Sequence, residues 1–138
     1  MDVFVYGTLT DPDRVEELLT DYAFGGDAVL EGLHRVEGVY PTLAPGGRVA
    51  GRLLATTEID RLDRYEGVGS GLYARVDVPV ADSFAEADEL RKSDTVAVYI
   101  GDSAALDASA EWPGEGPIAV RAERYVRERG VRVTSDRG

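Results

Sequence analysis

Two stretches of the chain place side chains and backbone where they could do chemistry. In Val5-Tyr6-Gly7-Thr8-Leu9 an apolar run ends in a glycine-bearing tight loop. Such a loop can aim successive backbone N–H groups into a cavity, and a nest of that kind holds a carboxylate without any charged side chain. In Leu62-Asp63-Arg64-Tyr65-Glu66-Gly67, followed by Leu72-Tyr73-x-Arg75, Glu66 falls at the C-terminal end of a predicted helix, beside an aromatic ring. The negative end of the helix and an apolar wall both disfavour its charge, lifting its pKa from the usual value of about 4.3. A carboxylate so treated is a better base near neutrality. Taken singly, the first stretch also reads as an ordinary strand-to-helix turn. The second also reads as a solvent-facing glutamate before a C-cap glycine.

Other chemistries are excluded by residue type. The chain has no cysteine, so a disulfide scaffold, a thiolate zinc site, an iron–sulfur cluster and cysteine catalysis are ruled out. His34 is the one histidine, which excludes a metal site built on several of them, and no metal or cofactor is expected. No GxGxxG or GxxxxGK[ST] follows the first strand, and no Gly-x-Ser-x-Gly elbow presents a nucleophile to His34. His34 reads as a packed or surface residue of a strand. Arg121, Arg124, Arg127, Arg129 and Arg132 are interleaved with Glu123 and Glu128, the pattern of i,i+4 pairs on a solvated helix face rather than of a nucleic-acid patch. No apolar run reaches the roughly 18–20 residues a membrane span needs, and no leader pattern opens the chain, so the expected location is the cytoplasm.

The 138 residues, 43% of them hydrophobic, predict one domain over residues 1–138 with a core of its own. Acidic residues number 26 against 15 basic ones, a net charge of −11, and Lys92 is the one lysine. One account of this excess is repulsion of acidic partners such as nucleic acid. The preferred account is halophilic: at molar salt the Debye length falls to about 3 Å, self-repulsion is screened and hydrated carboxylates keep the protein soluble. The melting temperature is then expected to rise from dilute buffer to molar KCl. A flat or falling value, measured below salting-out concentrations, removes that account and leaves the site chemistry untouched.

Several short elements must position the two stretches. Asp2–Tyr6 is a predicted buried strand. A helix begins at Asp11-Pro12, with Thr10 or Asp11 as N-cap and Val15, Leu18 and Leu19 as its inner face. Gly25-Gly26 breaks the pattern, and Asp27–Gly38 is a strand interrupted at Gly32 by a bulge or barrel corner. Tyr40–Leu43 is a short extended piece, Pro45-Gly46-Gly47 a hairpin turn, and Val49–Ala55 the returning strand. Thr57 caps a short helix with Ile59, Leu62 and Tyr65 inside, ended by Gly67. Tyr73–Val80 and Thr95–Ile100 are strands. Residues 82–93 form a polar surface loop, Gly101–Gly116 is loop, and Ile118–Arg129 is a helix stopped by Gly130. The pattern fits an α+β domain built round a small barrel.

The opening Phe-Val-Tyr-Gly-Thr-Leu, the Tyr40-Pro41 pair, Tyr65-Glu66-Gly67 and Tyr73-x-Arg75 occur in an order and spacing that resembles the gamma-glutamylcyclotransferase-like family. The resemblance runs from Asp2 to about Ile100. It implies a small mixed β-barrel with flanking short helices, and a cavity that takes a small-molecule gamma-glutamyl substrate. It implies that Tyr6, Gly7, Thr8 and Leu9 hold the glutamyl end, with Tyr40 among the substrate-binding residues and Glu66 as general acid/base. The implied reaction needs no cofactor: the substrate's own α-amino group attacks its γ-carbonyl carbon, releasing 5-oxoproline and an amine. A silent binding domain for a small acidic metabolite, using the same cavity, is the alternative.

Overall fold

The computed structural model describes residues 2–80 and 95–135. Strand β1 (Asp2–Val5) leads into a 3₁₀ turn (Thr8–Thr10) and helix α1 (Pro12–Leu18). Strands β2 (Tyr22–Val36) and β3 (Thr42–Thr56) follow, then α2 (Ile59–Tyr65), β4 (Tyr73–Pro79), β5 (Thr95–Gly101), α3 (Ser103–Leu106), α4 (Ile118–Arg129) and β6 (Arg132–Ser135). The strands form one mixed sheet in the order β4-β5-β1-β3-β2-β6. β1 runs parallel to β5 and antiparallel to β3. The sheet curls until its two edges approach, and a bridge from Val80 to Val133 joins them. This is the α+β small mixed barrel that the sequence predicts. Among the described residues, no helix is long and apolar enough to cross a membrane.

Period-two alternation explains why β1 sits mid-sheet. Phe4 points into the barrel with Leu30, Leu33, Leu53, Val76, Val98 and Ile100. Val3 and Val5 point outward, onto Val15 and Leu19 of the α1 segment and Leu62 of α2. β5 divides the same way, with Val96, Val98 and Ile100 inside and Ala97 and Tyr99 outside. A strand covered on both faces has no polar side to show, so both read as unbroken apolar runs. Helix α4 lays Ala122 and Val126 on the barrel core, and Trp112 packs edge-on to Tyr125 at 5.6 Å.

Four expectations are corrected. Pro45-Gly46-Gly47 is no hairpin turn: it lies inside β3, where Leu33 faces Pro45 and Glu31 faces Arg48. The extra residue makes a bulge opposite Gly32, with Gly32 and Gly46 at φ +104° and +99°, and His34 Nδ1 lies 3.0 Å from Gly46 O. Pro45 has no N–H to donate, and it sits beside this bulge and outside Arg52 to Ala55, the stretch of β3 that β1 covers. The Gly25-Gly26 pair likewise does not precede the strand predicted from Asp27, which starts at Tyr22 and runs through it. It is a second register shift within β2, between Phe24 and Asp27. Residues 37–41 make the turn between the two long strands.

Thr57 does not cap α2. Glu58 holds that position, and Thr57 Oγ1 donates to Asp21 Oδ2 at 2.5 Å. The Glu58 carboxylate accepts the Thr20 and Asp21 N–H groups at 2.7 and 2.8 Å, which hold it below the usual carboxylate range. Finally, residues 101–116 are not all loop: Asp102 Oδ1 accepts the Ala104 N–H at 3.0 Å and starts the single turn of α3. β6 is also additional, pairing with Ala28–Glu31 of β2. Within the arginine set, Arg132 Nε pairs across strands with Glu31 Oε2 at 3.2 Å. The predicted loop at 82–93 lies outside the described residues.

Candidate functional site

A cavity of about 420 Å³ opens where the C-terminal end of β1, the 3₁₀ turn, the end of α2 and the start of β4 converge. Its lining includes Tyr6, Gly7, Leu9, Tyr40, Tyr73, Tyr99 and Glu66. The sequence-predicted residues are therefore brought together, although Tyr6 and Glu66 stand sixty positions apart. Thr8 is placed by its backbone as the first residue of the 3₁₀ turn.

The loop after β1 is held from both sides. Thr10 N–H and Thr10 Oγ1 both donate to Gly7 O, at 3.0 and 2.7 Å, and Arg35 Nη1 donates to Tyr6 O at 3.4 Å. The N–H groups of Thr8 and Leu9 precede the first internal bond of the turn, as they do at the start of any helix. Gly7 does not need its glycine for backbone conformation, since its φ is not positive and a Cβ would meet nothing within 4 Å. That open space belongs to the cavity. Gly7→Ala is expected to leave the melting temperature near wild type and to weaken ligand binding by intruding on that space. Unchanged affinity in a calorimetric titration would reduce the loop to a turn.

Glu66 is the C-cap of α2, its N–H donating to Leu62 O at 2.9 Å, and Gly67 follows in the left-handed conformation at φ +69°. Half-buried among the tyrosine rings and Leu72, its carboxyl loses water, and this desolvation pushes its pKa up to about 7. Tyr6 is fixed by donation to Tyr99 O at 2.6 Å, and burial, Tyr73 and Glu66 together raise its phenol well above the usual range. Tyr40 (56% exposed) and Tyr65 (39%) stand at the cavity mouth. Tyr65 therefore does not join the inner face of α2 as predicted. Leu62 carries that face, and Ile59 packs beside it.

Three further residues complete the wall. Tyr73 Oη donates to Pro41 O at 2.6 Å, which ties β4 to the turn before β3. Tyr99 Oη donates to Asp63 Oδ1 at 2.7 Å, and Arg75 Nη1 lies 3.6 Å from Asp63 Oδ2. Burial drives both phenols above their ordinary value, and the charge of Glu66 adds to it. Sequence reasoning reads Asp63 as solvent-facing or ion-paired. It is ion-paired, and it also holds a cavity tyrosine. The missed signal was the i,i+3 spacing of Asp63 and Glu66, which puts both on one helix face. Arg14 also reaches the cavity and pairs with Glu17 at 3.4 Å. Among the described residues no group of three or more His, Cys, Asp or Glu side chains converges to hold a metal.

Comparisons with known proteins agree with this architecture. Residues 3–116 match the model of the family described as gamma-glutamyl cyclotransferase, AIG2-like. An Arabidopsis thaliana relative, AIG2-like protein C, is 41% identical over 75 residues, covering 49% of this chain and 44% of that protein. The chain thus matches less than half the length of that curated relative. Among solved structures, one titled gamma-glutamyl cyclotransferase superposes with a TM-score of 0.59 at 23% identity, covering 74% of this chain and 66% of the other. An uncharacterized protein from Homo sapiens superposes with a TM-score of 0.60 at 20% identity, covering 94% and 79%. At these identities the superpositions speak for the fold, and the family match over most of the chain carries the assignment: the chain belongs to the gamma-glutamyl cyclotransferase, AIG2-like family.

Proposed function

We propose that the chain is a cyclotransferase that converts a gamma-glutamyl amide into 5-oxoproline and a free amine, with Glu66 as general acid/base. The observation that carries this reading is a desolvated carboxyl, poised near neutrality, in a cavity shared with the Tyr6–Leu9 turn. In a gamma-glutamyl amide the α-nitrogen lies one five-membered ring from the γ-carbonyl carbon. The enzyme need supply no nucleophile. It must fold the substrate back, a positioning effect that can be worth ~7–11 kcal/mol.

Proton transfer is the second task. The α-ammonium, with a pKa of about 8 on the α-amino scale, cannot attack until it loses a proton. Ionised Glu66 takes that proton. The amine then bonds to the carbonyl carbon, and an oxyanion develops. Collapse breaks the bond to the leaving nitrogen; Glu66 delivers its first proton there, then takes a second from the new ring nitrogen and passes it to the departing amine. Of the three ammonium protons, one stays on the lactam nitrogen and two depart on the leaving amine, so Glu66 ends as it began. Backbone N–H groups of Thr8 and Leu9 anchor the glutamyl carboxylate or stabilise the oxyanion. Tyr40 stands where the leaving group would exit.

The test is an assay for 5-oxoproline across a panel of gamma-glutamyl amines, amino acids and peptides, paired with ligand-detected NMR. Release of 5-oxoproline from at least one member is expected. Binding without turnover would replace the enzyme with a binding domain for small acidic metabolites. Neither binding nor turnover would remove both readings.

A further inference from the structure

A phenol carries one proton, and what it offers a ligand depends on where that proton goes. Each of the three innermost cavity tyrosines gives its proton to the protein. Tyr73 donates to Pro41 O, Tyr99 to Asp63 Oδ1, and Tyr6 to Tyr99 O. Tyr6 is engaged a second time, by the Thr42 side chain. What Tyr73 and Tyr99 have left is lone pairs. Both line the cavity, and both lie within the field of Glu66. An ionised carboxylate is also acceptor-only. This wall therefore suits a ligand group rich in N–H and positively charged.

The Tyr73 proton is taken by a backbone carbonyl, but the Tyr99 proton is taken by a side chain. Asp63 sits one helical turn before Glu66, and its environment is the opposite one. Arg75 stands 3.6 Å from one oxygen while the Tyr99 hydroxyl fills the other at 2.7 Å. With one carboxyl oxygen accepting the Tyr99 hydroxyl and the other facing a guanidinium, Asp63 takes a hydrogen bond from Tyr99 and offers none back. The direction of the Tyr99 hydroxyl is thereby set.

We propose that Asp63 is a positioning residue. By holding the Tyr99 proton it turns a Tyr99 lone pair toward the cavity, where it and the Tyr73 oxygen accept the substrate's α-ammonium beside Glu66. This rests on the cyclotransferase reading and adds to it a means of recognising the ammonium. A ligand with a free α-ammonium is bound more tightly than one whose α-nitrogen is acylated or missing.

Asp63→Asn keeps the size of the side chain but supplies an NH₂ that can donate to Tyr99 and release its proton toward the cavity. The KM for a gamma-glutamyl amide is expected to rise about tenfold, the worth of one hydrogen bond to a charged group, with kcat little changed. Tyr99→Phe removes the acceptor and should raise KM similarly. The double variant should match Tyr99→Phe alone, because Asp63 acts through that hydroxyl. The desamino analogue, a glutaric acid mono-amide, should inhibit wild type and variants with the same Ki, since it has no ammonium to lose. A general disturbance of the site would weaken it too.

Additive effects in the double variant, or a Ki that rises in step with KM, overturn the proposal. If Asp63→Asn does not fold, Tyr99→Phe decides alone, and an unmoved KM overturns it. A wild type that turns over no gamma-glutamyl amide overturns the cyclotransferase reading and this proposal together. Turnover with unmoved KM values in the variants overturns only the role of Asp63.

Discussion

Glu66→Gln is expected to lower turnover of a gamma-glutamyl amide by at least the ~10²–10⁴-fold typical of general acid–base catalysis. The amide keeps the side chain's size and some of its hydrogen bonding, but it cannot take the ammonium proton. Two other carboxylates serve as controls. Glu58 is bound to the Thr20 and Asp21 N–H groups, so its amide should lower the melting temperature and leave turnover within a few-fold. Glu31 pairs with Arg132 at 3.2 Å on the exposed β2–β6 edge, a surface interaction worth about 0–1 kcal/mol. Near-normal 5-oxoproline formation by Glu66→Gln would show that the base lies elsewhere.

The pH dependence should be nearly as large. With the Glu66 carboxyl pushed up to about 7 by desolvation, kcat/KM should fall tenfold for each pH unit below that value, reaching about a hundredfold near pH 5. An acid limb near the ordinary glutamate value of about 4.3 would mean that the carboxyl is solvated when it works. Stability should shift with the opposite sense. A carboxyl whose pKa is raised on folding binds more protons in the folded state, so its contribution is fully present below the unfolded pKa. That contribution is lost as pH rises through about 7. Glu66→Gln, which mimics the protonated form, should melt with wild type below about pH 4 and above it at pH 8. Melting curves at the two pH values check the sign.

The local parts of this site were legible because each depends on a short-range rule. The apolar run Val3-Phe4-Val5 stopping at Gly7 marks a strand end, Asp11 before Pro12 marks a helix start, and Gly67 after Glu66 marks its close. α4 lies within the predicted bounds, from Ile118 to Arg129. The resemblance of the motifs then supplied the proximity of residues that spacing alone cannot bring together. Glycine pairs misled, because Gly25-Gly26 and Gly46-Gly47 carry the same local signal whether the chain reverses or merely bulges. Which of these happens is decided by the partner strand. Asp63 and Tyr99 were missed for a related reason. Their bond joins residues 36 positions apart, and neither type advertises a cavity. β6 is four residues long, with Val133 alone buried among those whose side chains are described. So short a segment shows no periodicity of its own.

The position of β1 has a consequence for how the chain acquires its shape during synthesis. Val3 is registered against Leu54 on one side and Ala97 on the other. It leaves the ribosome before either partner exists. At roughly 5–20 residues per second, Val3 precedes Ala97 by about 5–20 s. The β2–β3 hairpin, whose contacts are local, can close in microseconds once both arms have emerged. Nascent chains should therefore present a formed hairpin and an unfinished binding loop for several seconds. Stalled chains ending short of residue 95 should bind no ligand even where β2 and β3 already resist proteolysis.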